Sequence, residues 1–538
     1  MNRRDVLYLS LPVLTALVFV TVSNHVWEDF LITFRFSRNL AEGNGLVYHT
    51  GEWVHGFTSV FNTLLPALFD WMLPSESIYP ALWMYRLVCI AVFSMAVFWV
   101  ARTLRELGSP EWIVLMAALL LSLDIKSVAF TTNGQEVAFM LFFLALAFRI
   151  IALGLPGSHW KIACCAAGWL YTRPDGVVYA TVLFGAAVLF ASKNRWASVR
   201  SVLLGAGMTA LLYLPWMLMV WHFYGSPVPH TILAKVGAYT TESGGIFLLE
   251  MLATTPRILL SLYNPVYTDG YYEPLSGLVF VFLVLGFALG GLLGGRSSRG
   301  LHATFVMAFL MMGCYLAYGY LKVGIVFPWY KPAVAWLGYL SAFIAFSEIW
   351  KRFENRTVLR RWLQVSATCM IALAGFSYLA GTVQLTTHQH LIENGVRKAT
   401  GEWLAAHAKP GDRVHSEPIG YIGFYSGLRM DDWPGLQSPR VLELRKKLGN
   451  DRTVVVQHLL PDWMVLRPLE LAYFNQKLVL KQAYEIAAIF DQTDALDQRP
   501  WIPGKRYHYF DAKYIVLRKI GEELPSRLDR DSVITQPR

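Results

Sequence analysis

The chain has 538 residues and a net charge of +10, with 55% hydrophobic, 14% aromatic and only 16% charged residues at a mean hydropathy of +0.40. Soluble domains carry about 25% charged residues, so this deficit and the long apolar runs exclude a disordered, collagenous or disulfide-scaffold protein and leave a polytopic α-helical membrane protein. All five cysteines lie in apolar stretches, where they read as small packing residues, and neither a zinc site nor a disulfide framework has ligands.

In chain order, Met1-Asn-Arg-Arg and the apolar run Val6–Val22 imitate a signal peptide but lack a small-residue cleavage site, so the run reads as a retained first helix. A crossing needs about 20 apolar residues. Hydropathy predicts about 11 of them, at 6–24, 79–101, 112–130, 135–152, 160–172, 174–191, 201–221, 274–295, 301–320, 327–349 and 362–383. The apolar segment 57–73 ends in Trp71-Met-Leu-Pro74 and is placed as a juxtamembrane helix. With that choice one side collects 15 Lys/Arg in about 50 residues, among them Arg3, Arg102, Lys161, Arg195, Arg299 and Arg356. The opposite loops, 25–78, 131–134, 172–175, 222–273 and 321–326, hold 6 in about 120. This contrast predicts a cytoplasmic N-terminus, and outer loops and a C-terminal domain on the far side. Counting 57–73 as a crossing would invert every later loop.

The outer loops 25–78 and 222–273 exceed the 2–8 residues usual between bundle helices, so they are expected to form the working site. Within the second, Gly245–Leu262 has the apolar spacing of a helix lying at the interface. The first opens with Trp27-Glu28-Asp29-Phe30 and stops at Gly43-Asn-Gly45. Adjacent carboxylates suit a helix start, where N–H groups and the dipole favour negative charge. They equally suit a general base for a hydroxyl, or a divalent cation site. Arg86, Asp124, Lys126 and Lys331 fall in apolar segments and are expected to face the bundle interior or the outer boundary. Asp124 and Lys126 are two apart and share no helix face.

Glu28-Asp-Phe-Leu-Ile-Thr-Phe-Arg-Phe-Ser-Arg-Asn-Leu-Ala-Glu-Gly-Asn-Gly-Leu-Val-Tyr48, followed by Gly51-Glu-Trp-Val-His-Gly-Phe-Thr58, resembles the first outer loop of bacterial C-superfamily (GT-C) glycosyltransferases, nearest to the mycobacterial terminal arabinofuranosyltransferase group. Glu28 stands where that group has its first aspartate, taken as catalytic; Trp53 stands for an arginine and His55 for a glutamate. Thr132-Asn-Gly-Gln-Glu136, Thr172-Arg-Pro-Asp-Gly176 and Tyr224-Gly-Ser-Pro-Val-Pro-His-Thr-Ile-Leu-Ala-Lys235 resemble later elements of the family in the same order. Phe327-Pro-Trp-Tyr-Lys-Pro332 resembles the aromatic entry to a late helix, or equally an interfacial aromatic belt.

The resemblance implies a GT-C transmembrane catalytic domain over 1–383 in a bacterial inner membrane. It further implies inverting transfer of a sugar, arabinofuranosyl in the nearest group, from a polyprenyl phosphate to a glycan, lipid or protein acceptor outside the cytoplasm. Nucleic acid is not a partner; membrane lipids are. The base is Glu28 or Asp29, with Glu136 and Asp175 in reserve. Lys235 and Arg173, then Arg35 and Arg38, are the cations for the leaving phosphate, and His55 and His230 are further site candidates. Glu136 is also placed to pair with Lys126 or Arg173. No cofactor is demanded, and a divalent cation stays open.

Residues 384–538 hold 41 of the 84 charged residues, 22 basic and 19 acidic, and read as an extracytoplasmic α/β domain. A helix is predicted over Leu391–His407, strands at Arg413–Glu417, Trp463–Leu466 and Tyr514–Leu517, a helix at Val441–Leu448 and a glycine-punctuated loop at Gly420–Gly427. That loop has neither a P-loop lysine nor G-x-G-x-x-G spacing, which disfavours nucleotide binding. Two alternatives stay open: a hexose or aminosugar transferase of the same superfamily, and a lipid or sugar transporter or flippase, against which the absence of a repeated half argues.

Overall fold

The computed structural model describes residues 3–191, 194–235, 238, 247–264, 279, 283–286, 288, 290–292, 295–475, 483–501 and 504–520. It divides into two compact units, one of residues 1–389 with 501–505 and one of 390–500 with 506–538.

The first unit is helical. In order come α1 (Arg3–Ser23), α2 (Glu28–Ala41), α3 (Val60–Met72), α4 (Tyr79–Glu106), α5 (Glu111–Leu123), α6 (Ile125–Thr132), α7 (Val137–Leu153), α8 (His159–Thr172) and α9 (Gly176–Leu189). They are followed by α10 (Arg195–Tyr224), α11 (His230–Lys235), α12 (Phe247–Ser261), α13 (Arg296–Val323), α14 (Lys331–Arg352) and α15 (Thr357–Thr387). Among the described residues six helices are long and apolar enough to cross a membrane, and α5 with α6, bent by 53° at their junction, makes a seventh if taken as one span. Helices α7 and α9 are apolar but shorter; of the two short predicted segments, 160–172 and 174–191, the second is α9, whereas α7 falls in the segment 135–152 read as a full crossing. The predicted crossing at 274–295 lies mostly outside the described residues.

The predicted crossing at 112–130 is broken at Asp124, because this residue leaves the helical conformation and its carboxylate accepts the Ser127 N–H at 3.1 Å, capping α6. Lys126 does not pair with it: the ammonium donates to the carbonyls of Ser261 and Leu262 at 2.9 and 3.1 Å, filling the acceptors that the end of α12 leaves open. Buried Arg86 likewise spends its guanidinium on backbone and amide oxygens: Thr132 O at 2.7 Å, Asn24 Oδ1 at 2.8 Å and His25 O at 2.9 Å. Arg86 and Lys126 thus act as rivets between helix ends. Segment 57–73 is the helix α3, started by the Ser59 cap on the Asn62 N–H at 3.1 Å.

In the second unit, Ala399–His407 continues a π-helix, His388–Lys398, so the predicted helix is present but changes winding partway. Strands β1 (Arg413–Ser416), β2 (Arg429–Asp432), β3 (Trp463–Leu466), β4 (Tyr484–Asp491) and β5 (Lys513–Lys519) form one sheet in the order β2-β1-β3-β5-β4. The first three are parallel, and β5 runs antiparallel to both β3 and β4. The expected loop at 420–427 instead holds a short helix, Tyr421–Ser426. Its Tyr421 and Ile422 are buried, and burying two large side chains, worth roughly 1.5–3 kcal/mol each, outweighs the ~1 kcal/mol helix penalty of Gly423. A buried ion network ties the sheet to its helices: Arg397 meets Glu393 at 2.7 Å and Asp511 at 2.8 Å, and Arg467 meets Asp511 at 2.7 Å and Glu417.

Candidate active site

Helix α2 begins without a side-chain cap, so its first-turn N–H groups are left to Glu28 and Asp29. Its entry is fixed by the preceding residue. Trp27 donates its N–H to Asn133 O at 2.9 Å, and its ring meets Phe130 and Trp329 edge-on at 5.2 and 5.9 Å. The neighbouring Gly134 has φ +98°, and a Cβ there would stand 2.4 Å from the Phe30 ring, so only glycine lets loop 133–136 close on α2. That loop carries Glu136.

Helices α8 and α9 are separated by Arg173-Pro-Asp175. Arg173 is buried and held three ways: Nη1 donates to Glu136 Oε1 at 2.9 Å, Nε donates to Asp175 Oδ1 at 2.8 Å, and the guanidinium lies 3.9 Å from the centre of the Tyr330 ring. Glu136 also accepts from Asn62 Nδ2 at 3.3 Å, which brings α3 into the same cluster. Of the two partners expected for Glu136, the structure selects Arg173. The other Asp175 oxygen, Oδ2, is buried without a hydrogen-bond partner among the described residues.

Lys235 ends α11. Its ammonium sits 4.4 Å over the Phe327 ring. Burial lowers its pKa, while the charge of Asp29 pulls it back up and Arg173 lowers it further. Arg173, Asp175 and Lys235 line one cavity of about 440 Å³ with Thr58, Lys322, Phe327 and Tyr330. The remainder of the wall is mostly aliphatic, including Ile232, Leu316, Val323 and Val326. The lining thus combines three cations and one carboxylate, Asp175, with a largely apolar remainder, a set that accommodates an amphiphile with an anionic head.

The other predicted residues lie elsewhere. Arg38 does not line the cavity; it grips Asp70 of α3 with Nε at 3.1 Å and Nη2 at 3.0 Å and also donates to the carbonyls of Ser75 and Glu76. Arg35 lies 4.5 Å from the Tyr48 ring centre, with Nη2 3.4 Å from His49 Nδ1, and is absent from the cavity wall as well. The His55 carbonyl accepts the His230 N–H at 2.8 Å, so these two residues seat the start of α11. The His55 ring stacks on Tyr224 at 5.1 Å, and its pKa falls to about 4, through burial first and the His230 charge second, which keeps it neutral.

Residues not singled out from the sequence complete the site. Lys322 carried no motif. Phe327 and Tyr330 were visible only as part of an aromatic-proline run, whereas each ring in fact carries one of the two principal cations. Asn62 sat in a segment read as a juxtamembrane helix, and only its pairing with Glu136 marks it.

Residues 384–512 match a family model described as Domain of unknown function (DUF8728). No curated protein matches the sequence. Among solved structures, the chain is similar to ArnT from Cupriavidus metallidurans in its apo state, at 12% identity and a TM-score of 0.56, covering 96% of this chain and 99% of that one. It is also similar to the arabinofuranosyltransferase AftD from Mycobacteria, at 14% identity and a TM-score of 0.45, covering 97% of this chain and 42% of that one. A second AftD class gives 13%, 0.43, 96% and 42%. At such an identity the ArnT likeness is one of fold alone.

Proposed function

We propose that the protein is an inverting glycosyltransferase that moves a sugar from a polyprenyl-phosphate donor to an acceptor outside the cytoplasm. The observation that carries this reading is the amphiphilic cavity, lined by Arg173, Lys235 and Lys322 together with aliphatic residues such as Ile232, Leu316, Val323 and Val326. A polyprenyl phosphate has that character: an anionic phosphate joined to a chain that stays in the bilayer. On this reading the lysines and the fixed Arg173 fork stabilise the charge that develops on the departing phosphate. A carboxylate at the start of α2 takes the proton of the attacking hydroxyl as the acceptor oxygen displaces the phosphate from the anomeric carbon.

Neither carboxylate is part of the cavity wall; between them the reading favours Asp29, whose negative charge raises the Lys235 pKa against the burial that lowers it, whereas the resemblance alone favoured Glu28. Arg35 and Arg38 become supports of the outer loop. The membrane part is assigned the transfer and the C-terminal domain an extracytoplasmic place, following the charge contrast of the loops. The arabinofuranosyl assignment rests on the resemblance of the first outer loop. Offering the purified protein a panel of polyprenyl-phosphate sugars and following release of polyprenyl phosphate tests both levels. Turnover of a hexose donor with none of the arabinose donor replaces the sugar, and no turnover with any donor, alongside transport of one in vesicles, replaces the reaction.

A further inference from the structure

Away from the cavity, a second concavity of about 380 Å³ opens between α4, α7 and α8. It lies at the C-terminal half of α7 and the first turns of α8, the end of the bundle that the charge contrast assigns to the cytoplasm. Its lining includes apolar Leu146 and buried Ile150 of α7, together with Trp99, Arg149 and the exposed Trp160 and Lys161.

We propose that this groove binds one anionic phospholipid of the cytoplasmic leaflet, its phosphate against Lys161 and Arg149 and an acyl chain along Leu146 and Ile150. Three features support that occupant. The first is charge. Arg149 donates to Glu106 at 2.8 and 3.1 Å, and Arg102 donates to the same carboxylate at 3.1 Å, so one negative group is shared by two positive ones. Lys161, exposed in the lining, is a further cation with no ion pair among the described residues. The lining therefore carries an excess of positive charge that a single phosphodiester complements.

The second feature is the pair of tryptophans. Trp160 is 60% exposed, and Trp99 lies under the Arg149 guanidinium at 4.8 Å. An indole with an apolar body and one N–H donor is stable at headgroup depth, where both halves are satisfied. The third is the apolar part of the lining, which has no use for a free phosphate but suits a hydrocarbon chain continuous with the bilayer. The inference stands apart from the transfer reaction and from the outer cavity.

The test uses the full-length protein, delipidated in detergent, with native mass spectrometry of added lipid. Phosphatidylglycerol is expected to bind more tightly than phosphatidylcholine, with inorganic phosphate failing to compete. Removing one basic side chain near a lipid surface forfeits about 1 kcal/mol, so Lys161→Ala should reduce the preference roughly fivefold, and Lys161→Glu should abolish it. Arg361→Ala, which removes a charge of the same membrane face outside the groove, should leave the preference within about twofold. Cys164→Phe, which narrows the groove without changing charge, should weaken both lipids. Equal binding of the two lipids, an equal loss in Arg361→Ala, full retention in Lys161→Glu, or competition by phosphate alone would each overturn the assignment.

Discussion

Replacing Lys235 by methionine separates a phosphate-binding cation from a structural one. The side chain keeps its length and loses only its charge. In the free protein that charge is held at a disadvantage: burial depresses the ammonium pKa, and its contacts are the Phe327 ring at 4.4 Å and the field of Asp29. A cation–π contact is worth about 0.5–2 kcal/mol, and desolvation works against it, so the variant should melt within a few degrees of the wild type. Donor binding should behave differently. A hydrogen bond to a charged group contributes about 1.5–3 kcal/mol, so the dissociation constant of the lipid-phosphate donor should rise roughly tenfold to over a hundredfold.

The pH dependence carries the same signature. A lysine whose folded pKa is depressed adds stability as pH rises through that value, because the folded state sheds a proton that the unfolded state keeps. Donor affinity should fall over the same window and begin below the ordinary lysine range; in Lys235→Met this limb should vanish. Arg173 is the poorer probe, since its removal strands Glu136 and Asp175 at a cost of about 3–5 kcal/mol. Donor affinity within twofold of wild type in Lys235→Met, at unchanged melting temperature, would refute the placement of the phosphate.

Asp29→Asn is expected to lower turnover about 10²–10⁴-fold with donor binding retained, and Glu28→Gln to lower it less; rate and binding measurements on both distinguish base from helix-start charge, and the reverse order returns the role to Glu28. In the C-terminal domain, burial and then the Arg452 charge hold the His415 pKa at about 3. The folded state thus refuses a proton that the unfolded chain accepts near 6.5, and stability should be lost as pH falls from about 6.5 toward 3. Asp432, pushed up to about 6 by burial, works in the opposite direction below that pH. His415→Gln should remove up to roughly 4 kcal/mol of the acid loss, read from denaturant melts at several pH values. An engineered cysteine at Arg356 should resist an impermeant thiol reagent in intact cells while one at Glu52 reacts; the opposite pattern inverts the topology.

Much of the outer loop was legible because its signals are local. The start of α2 at Glu28 follows from two carboxylates after an aromatic residue, and its end from Gly43 and Gly45, which the structure holds at φ +83° and +88°. Strands β3 and β5 announce themselves as short apolar runs, and β1, Arg413-Val-His-Ser416, by the Lys409-Pro-Gly-Asp412 turn before it. Strand β2 does not: Arg429-Met-Asp-Asp432 is a polar sequence kept in the sheet by its pairing with β1. The fate of Arg38 was equally hidden, since its partner Asp70 lies 32 residues away on another helix. Charge and position near an outer loop are visible in a sequence. Whether a charge is already spent on the scaffold is a tertiary fact, and it is what divides Arg38 from Lys235.

The turn Pro328–Tyr330 is a single 3₁₀ turn, preceded by Phe327. Phe327 is extended and accepts the Tyr330 N–H at 3.1 Å, closing the turn, and the rings of Phe327 and Tyr330 stand 6.4 Å apart. Each ring seats one cation, so the gap between Lys235 and Arg173 is gauged by a covalent ruler one turn long, although the two cations arrive on separate helices. Drift in helix packing among diverging sequences would leave that gauge intact. Inserting one residue between Phe327 and Tyr330 would swing one seat off the shared face by a third of a turn, and with it the size of anionic head the cavity can clasp.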